Sequence, residues 1–234
     1  MQNLGTAYTN LVNNQNRVYE VKVRVDGTDY GQDHIYSLVT KRRLFESDTP
    51  TIGNAVAGEI DLVMDDPGVT FSRMAQIIPY FRPAGYSGWV QKGVYFINTR
   101  EIDEETGKLT IHGSDALRKS EQPYPSSSLS WNANSPNAYS VVSELAGFLG
   151  VTIDSSTATT LRATARIVNF PAQYTIRETL KSIAAMYGGN FIMSDTGQLK
   201  LVGFADIPAE TYYLVTETGN YITFGGTRIL LRTE

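Results

Sequence analysis

Glu59-Ile60-Asp61-Leu62-Val63-Met64, followed at once by Asp65-Asp66-Pro67-Gly68, is the stretch whose reading decides the fold. Ile60, Leu62 and Met64 fall on one side of an extended chain and Glu59 and Asp61 on the other, which predicts a half-buried strand. Pro67 and Gly68 forbid its continuation. The same grammar extends outward. Tyr19, Val21, Val23 and Val25 share a face and end in the turn pair Asp26-Gly27. Further strands are expected at Ile77 to Arg82, Gly93 to Ile102 and Lys108 to Gly113. About six or seven short strands between Val18 and Leu117 predict a small barrel or sandwich.

Beyond residue 120 the pattern changes. Gln122 to Pro136, with its prolines, serines and Trp131, reads as a connector. Ser135-Pro136 offers a helix start, and Val141, Val142, Leu145, Phe148 and Leu149 form an apolar stripe that Gly150 can close. Thr175 and Glu178 have capping-box spacing ahead of a second stripe, Ile176, Leu180, Ile183, Ala184 and Tyr187, which stops at Gly188-Gly189. These two helices resemble each other at a shift of 38 residues, as an internal duplication or any two glycine-terminated amphipathic helices would. A sharper recurrence is Thr106-Gly107 with Gly113, Thr196-Gly197 with Gly203, and Thr218-Gly219 with Gly225. An acidic residue (Glu105, Asp195, Glu217) precedes each threonine, which predicts three hairpins of one design. Tyr212 to Leu231 supplies further strands, and the chain ends while still extended, as part of a longer protein would.

Composition narrows the chemistry. The 234 residues contain no cysteine, which removes disulfides, thiolate metal sites and cysteine nucleophiles, and two histidines leave little for a metal centre. A net charge of -4, evenly spread, does not suit specific nucleic-acid binding. Met1 to Asn16 is a polar arm rich in Asn and Gln, expected to be mobile or ordered by a partner, with no signal-peptide core. No apolar run approaches a membrane span, so the expected site of folding is the cytoplasm.

Several side chains are candidates for chemistry. Glu59 and Asp61 share a strand face, as the paired carboxylates of a glycan hydrolase do, but a solvated face opposite Ile60 and Leu62 is the better reading. Asp65-Asp66 suits a turn better than a cation site, and His34 and His112 have no triad or metal context. Lys41-Arg42-Arg43 is expected to be a solvated strand end. Tyr80, Tyr86, Tyr95, Tyr124 and Tyr139 suit a core, an interface or, with Trp89 or Trp131, a stacking surface for cell-wall sugars. Gly188-Gly189 follows a helix and so is no phosphate loop. The sequence therefore predicts no catalytic, cofactor-binding or metal residues, and the chain is expected not to be an enzyme.

Four stretches in fixed order carry a resemblance: Thr51 to Leu62 (TIGNAVAGEIDL), Lys92 to Ile97 (KGVYFI), Gly107 to Leu117 (GKLTIHGSDAL), and Tyr174 to Leu180 (YTIRETL) running on to Ala184 to Asn190 (AAMYGGN). Over residues 17 to 204 the chain resembles the tail, or baseplate, hub proteins of bacteriophages and prophages of Gram-positive hosts. Ser114 and Leu117 stand where that family has an aromatic and a methionine. The resemblance implies an α+β, mostly β fold. After the arm at 1–16 it places a first β-barrel domain at 17–120, a connector at 121–135, an α/β domain with two helices at 136–204, and strands of a second, complete or partial, β-barrel region at 205–234. It also implies a homotrimer whose pseudo-hexameric ring adapts the tail tube to the central spike. Its partners would be tube, distal-tail and tape-measure proteins and a spike or tail-lysin domain, and its place the virion tail, assembled in the host cytoplasm.

Overall fold

The computed structural model describes residues 4–14, 17–125, 129, 136–164, 166–169 and 173–203, together with four two-residue strands beyond them. The chain divides into one unit of Met1–Val202 and another of Gly203–Glu234. It is mostly β with a few helices, an α+β architecture.

The first unit is founded on an antiparallel sheet. β1 (Tyr19–Val25) turns through Asp26-Gly27 into β2 (Thr28–Tyr30). Both turn residues have positive φ, 49° and 86°, the two-residue loop whose twist matches the strands it joins. β3 (Ile35–Lys41), β4 (Glu59–Asp65), β5 (Gln76–Pro83), β6 (Val90–Gln91), β7 (Tyr95–Asp103) and β8 (Lys108–Ser114) complete the sheet. Its order is β2-β1-β5-β7-β8-β4-β3, with β6 paired to β5. The alternation of β4 is as expected: Ile60, Leu62 and Met64 are buried while Glu59 is exposed. With Val23, Val25, Ile77, Tyr95, Ile97, Leu109 and Ile111 they form one core, capped by Phe71 and Ala75 from the β4–β5 connection. Each such side chain contributes about 1.5–3 kcal/mol on burial.

Closure into a barrel is not seen. Among the described residues no ladder joins β2 to β3, and a strand of three residues gives a seven-residue edge little to pair with. β2, β3 and β6 were not distinguished in the sequence because none has a buried alternating face of its own.

The second core of this unit is helical on one side. α2 (Ala138–Leu149) buries Val141, Val142, Leu145 and Leu149. Its cap is Asn137, whose side chain accepts the Ser140 N–H at 2.9 Å, so the helix starts later than Ser135-Pro136 suggested; Ser135 lies outside the described residues. Phe148, expected in the buried stripe, is instead exposed. α4 (Ile176–Met186) has both halves of the predicted capping box, Glu178 N–H to Thr175 Oγ1 at 3.1 Å and Thr175 N–H to Glu178 Oε2 at 2.7 Å. Between them lies a third helix that the two-helix expectation missed, α3 (Ser155–Ala163), whose residues are mostly Ser, Thr and Ala. Only Thr157 and Leu161 are buried, and Thr157 Oγ1 accepts the Leu201 N–H at 2.8 Å, so tertiary contact holds a helix that propensity does not. A fourth helix, α1 (Gly5–Val12), occupies the arm that the sequence presents as merely polar.

β9 (Gly189–Met193) and β10 (Leu199–Gly203) form the hairpin these helices cover. Isolated parallel bridges flank it, Ala55 beside Phe191 and Ile153 beside Leu199. Two of the three recurrent turns are thus observed. Gly107 between β7 and β8 and Gly197 between β9 and β10 have φ of 64° and 76°, the left-handed position the pattern predicted. Thr218, Gly219 and Gly225 lie outside the described residues. In the second unit β11 (Tyr212–Tyr213) pairs with β14 (Leu230–Leu231) and β12 (Thr223–Phe224) with β13 (Thr227–Arg228), all antiparallel.

Candidate functional site

The outer face of β3, β4 and β8, with the 3-10 turn Gln32–His34 that precedes it, brings Asp61 and Asp65 against the two histidines. Asp61 accepts from Lys41 Nζ at 2.8 Å and lies 2.6 Å from His112 Nδ1. Asp65 accepts from the Tyr36 hydroxyl at 2.8 Å and lies 3.2 Å from His34 Nδ1. The Lys41 hydrogen bond, then that of His112, holds the Asp61 carboxyl below the usual aspartate range, and Tyr36, then His34, does the same for Asp65. A general acid for glycoside cleavage needs the opposite shift, so this face has the electrostatics of a solvated strand surface. Asp66 accepts the Gly68 N–H at 3.0 Å, a turn bond, and no cluster of metal-ligating side chains occurs among the described residues.

The aromatic candidates separate by role. Trp89 lies under Arg82 at 4.4 Å and Lys22 at 5.1 Å, and Tyr80 under Lys22 at 5.0 Å. Those cations are held by Glu20 and by Asp29, whose carboxyl is lowered to about 2 by hydrogen bonds from Arg24 and then Lys22. Trp89 therefore already carries intramolecular partners where a sugar-stacking platform needs a bare ring; Trp131 lies outside the described residues. Tyr95 is fully buried, Tyr124 donates to Glu144 at 2.6 Å, Tyr139 is covered by Arg162, and Tyr86 meets α1.

The most structured polar feature is the junction between the two cores of the first unit. The segment from Thr51 to Gly58 leaves the sheet, runs beside β9, and returns to start β4. Gly53 N–H donates to Gly189 O at 2.9 Å and Phe191 N–H to Asn54 O at 2.8 Å. Fully buried Asn190 accepts the Asn54 N–H at 2.8 Å and donates to Thr51 O at 2.8 Å. Gly58 then meets Asp115, which accepts its N–H at 2.7 Å and the Leu117 N–H at 2.9 Å while capping the short 3-10 helix Ala116–Glu121. Burial raises the Asp115 carboxyl to about 6, against the lowering effect of these two N–H groups and of Arg42 and Arg177.

Arg42 pins the junction from the sheet side. Its guanidinium donates to the Asp195 carboxylate, to Lys92 O and to the Tyr95 hydroxyl, the last at 3.3 Å. Gln91 Nε2 adds a bond to Asp195 O at 2.9 Å. Lys41, Arg42 and Arg43 are all exposed, as expected of a solvated strand end, but Arg42 also reaches a partner 153 residues away, where no local signal extends. Beside this pin Arg42, Asp154, Ser194, Asp195, Gln198 and Lys200 line a cleft of about 360 Å³. Ser194 Oγ is 3.1 Å from the Thr196 hydroxyl and accepts the Gln198 N–H at 3.0 Å, the bonding of a shaped turn. Arg42 and Asp195 in this cleft are engaged with each other, and Asp154 caps α3 by accepting the Ser156 N–H at 3.0 Å.

No family model matches the chain and no curated protein matches it in sequence. Among solved structures it is similar to the 43 kDa tail protein of prophage MuSo2 from Shewanella oneidensis, at 15% identity and a TM-score of 0.50, over 80% of this chain and 56% of that one. It is similar also to the tail protein from Neisseria meningitidis MC58, at 14% identity and a TM-score of 0.51, over 78% of this chain and 51% of that one. The chain therefore spans about half the length of these proteins, and what it shares with them is the fold.

Proposed function

We propose that this protein is a structural component of a phage or prophage-like tail, acting as the hub that joins the tail tube to the central spike. The observation that carries this reading is the backbone likeness to two prophage and bacterial tail proteins over about four-fifths of the chain. A second supports it: stretches that carry the hub resemblance, Thr51 to Gly58 and Gly188 to Asn190, meet one another at the junction of the two cores. On this reading the open sheet at 17–120 corresponds to the first barrel-type domain, the segment 136–204 to the α/β insertion, and 205–234 to part of a second barrel-type region. The work is mechanical and geometric, a threefold ring with sixfold pseudosymmetry, and no catalytic group is needed for it.

Solution mass by light scattering, with images of the particles, tests the proposal. A trimer forming threefold rings is expected. A species that stays monomeric up to millimolar concentration and forms no ring overturns the hub reading.

A further inference from the structure

One margin of the sheet core carries two arginines that the rest of the fold does not neutralise. Asn98 is an extra residue in β7, since Ile97 faces Gly113 and Thr99 faces His112, with a register shift between them. Such a bulge changes the parity of the strand. Before it Tyr95 and Ile97 enter the core, and beyond it Arg100 stands opposite buried Ile111, on the core side of the pleat. There its guanidinium donates to Phe71 O. Asn98 is fixed as well, its Nδ2 donating to the hydroxyl of buried Ser114 at 2.6 Å. Next to the bulge lies the turn 72–75, closed by Ala75 N–H to Ser72 O at 3.0 Å and joined to β7 by Ile97 N–H to Ala75 O at 3.0 Å. Met74 is left-handed at φ 65°, a conformation uncommon outside glycine, and Arg73 takes the corner of the turn.

We propose that the cleft between this turn and the bulge binds a phosphate group, free or as the ester of a small ligand. Ser72, Arg73, Ile97, Asn98 and Arg100 line a space of about 260 Å³, with no acidic side chain among them. Arg24, Arg42, Arg82 and Arg177 each have a carboxylate partner, whereas among the described residues Arg73 and Arg100 have none, in a chain of net charge -4. Two guanidiniums from different elements, with the Ser72 hydroxyl and the Asn98 carboxamide, approach an anion from several directions. A carboxylate has two oxygens in one plane, which a single guanidinium fork satisfies. A phosphate has a tetrahedral array of oxygens and a second charge for the second fork. The bulge, the Met74 turn and the bonds to Phe71 O and Ser114 Oγ hold the cleft in shape before a ligand arrives, which lowers the ordering cost of binding.

Amide spectra of the full chain, titrated by NMR with inorganic phosphate, glycerol phosphate and acetate at constant ionic strength, test the site. Saturable shifts confined to residues 72–75 and 97–100 are expected, with a Kd of about 1 mM for the better phosphate. Arg73→Met removes a guanidinium that bonds to nothing else among the described residues, and should weaken binding about tenfold. Arg118→Met, which alters an exposed arginine outside the cleft, should leave binding unchanged. Tighter binding of glycerol phosphate assigns the site to an ester, and tighter binding of inorganic phosphate to the free ion; either supports the proposal. Shifts that never saturate, that persist undiminished in Arg73→Met, or that acetate reproduces at equal affinity overturn it.

Discussion

Replacing Asp115 by Asn sets burial against charge at the junction of the two cores. Asp115 is 4% exposed and the folded value of its carboxyl is raised to about 6, burial outweighing the Gly58 and Leu117 N–H groups and the positive charges of Arg42 and Arg177. An unfolded aspartate titrates near 3.9. The folded state therefore binds the proton more tightly. The stability this group contributes is fully present below about pH 4 and is lost as pH rises through about 6. A difference of roughly two units corresponds to about 3 kcal/mol. Aspartates whose carboxyls are lowered, among them Asp29, Asp61, Asp65 and Asp103, act in the opposite sense and cancel when wild type and variant are subtracted. Asp115→Asn is neutral throughout and keeps one acceptor for two N–H donors, which adds an offset independent of pH. Urea unfolding followed at half-unit steps from about pH 4 to 7.5 should show the stability of wild type relative to Asp115→Asn falling by about 3 kcal/mol, mostly between pH 4 and 6, and level above about 7. A difference that is flat, or that moves in favour of wild type as pH rises, would refute the reasoning by showing that Arg42 and Arg177 outweigh desolvation.

Further outcomes follow from neighbouring geometry. Asn190→Ala removes the acceptor of the Asn54 N–H and a donor to Thr51 O, both at buried or half-buried positions, and should lower unfolding free energy by about 2–4 kcal/mol in urea titration. Gly53→Ala forces a left-handed residue at φ 80° and places a Cβ 3.1 Å from that of Ala185 and 3.2 Å from Lys181 O. It should therefore destabilise by more than Gly107→Ala, where φ is 64° and nothing stands within 4 Å, and which should cost about 1–2 kcal/mol. Equal thermal shifts for the two would mean that the close approach at Gly53 is relieved. Lys41→Met should raise the titration midpoint of the Asp61 carboxyl, read by carbon NMR, since the Lys41 hydrogen bond is the main cause of its lowering. An unchanged midpoint would assign that effect to His112.

Local chemistry carried far into this fold. The β4 alternation, the Asp26-Gly27 loop, the Thr175–Glu178 capping box and the glycines at 107 and 197 are all realised, because each needs only residues within a few positions of one another. α3 escaped because Ser and Thr are poor helix formers and its stability comes from Thr157 and Leu161 against the hairpin. α1 escaped because it has no buried stripe, its partner Tyr86 being 78 residues downstream. Of the candidate site the sequence held the parts but not the assembly. Gly53, Asn54, Gly189 and Asn190 were visible as pieces of a family pattern, without any sign that they bond to each other.

The sequence by itself determined the strands β1, β4, β5, β7 and β8, the helices α2 and α4 and the turns at Asp26-Gly27, Gly107 and Gly197, and it excluded thiol chemistry, because periodicity, capping and composition act over a few residues or over none. Tertiary structure alone decided that no ladder joins β2 to β3 among the described residues, that Arg42 pairs with Asp195 and Lys41 with Asp61, and that Trp89 lies under cations. It also decided that Asp115 holds a raised proton affinity between two cores. Those outcomes depend on burial and on partners from 7 to 153 residues away, and desolvation and long-range pairing exist only once the chain has closed on itself.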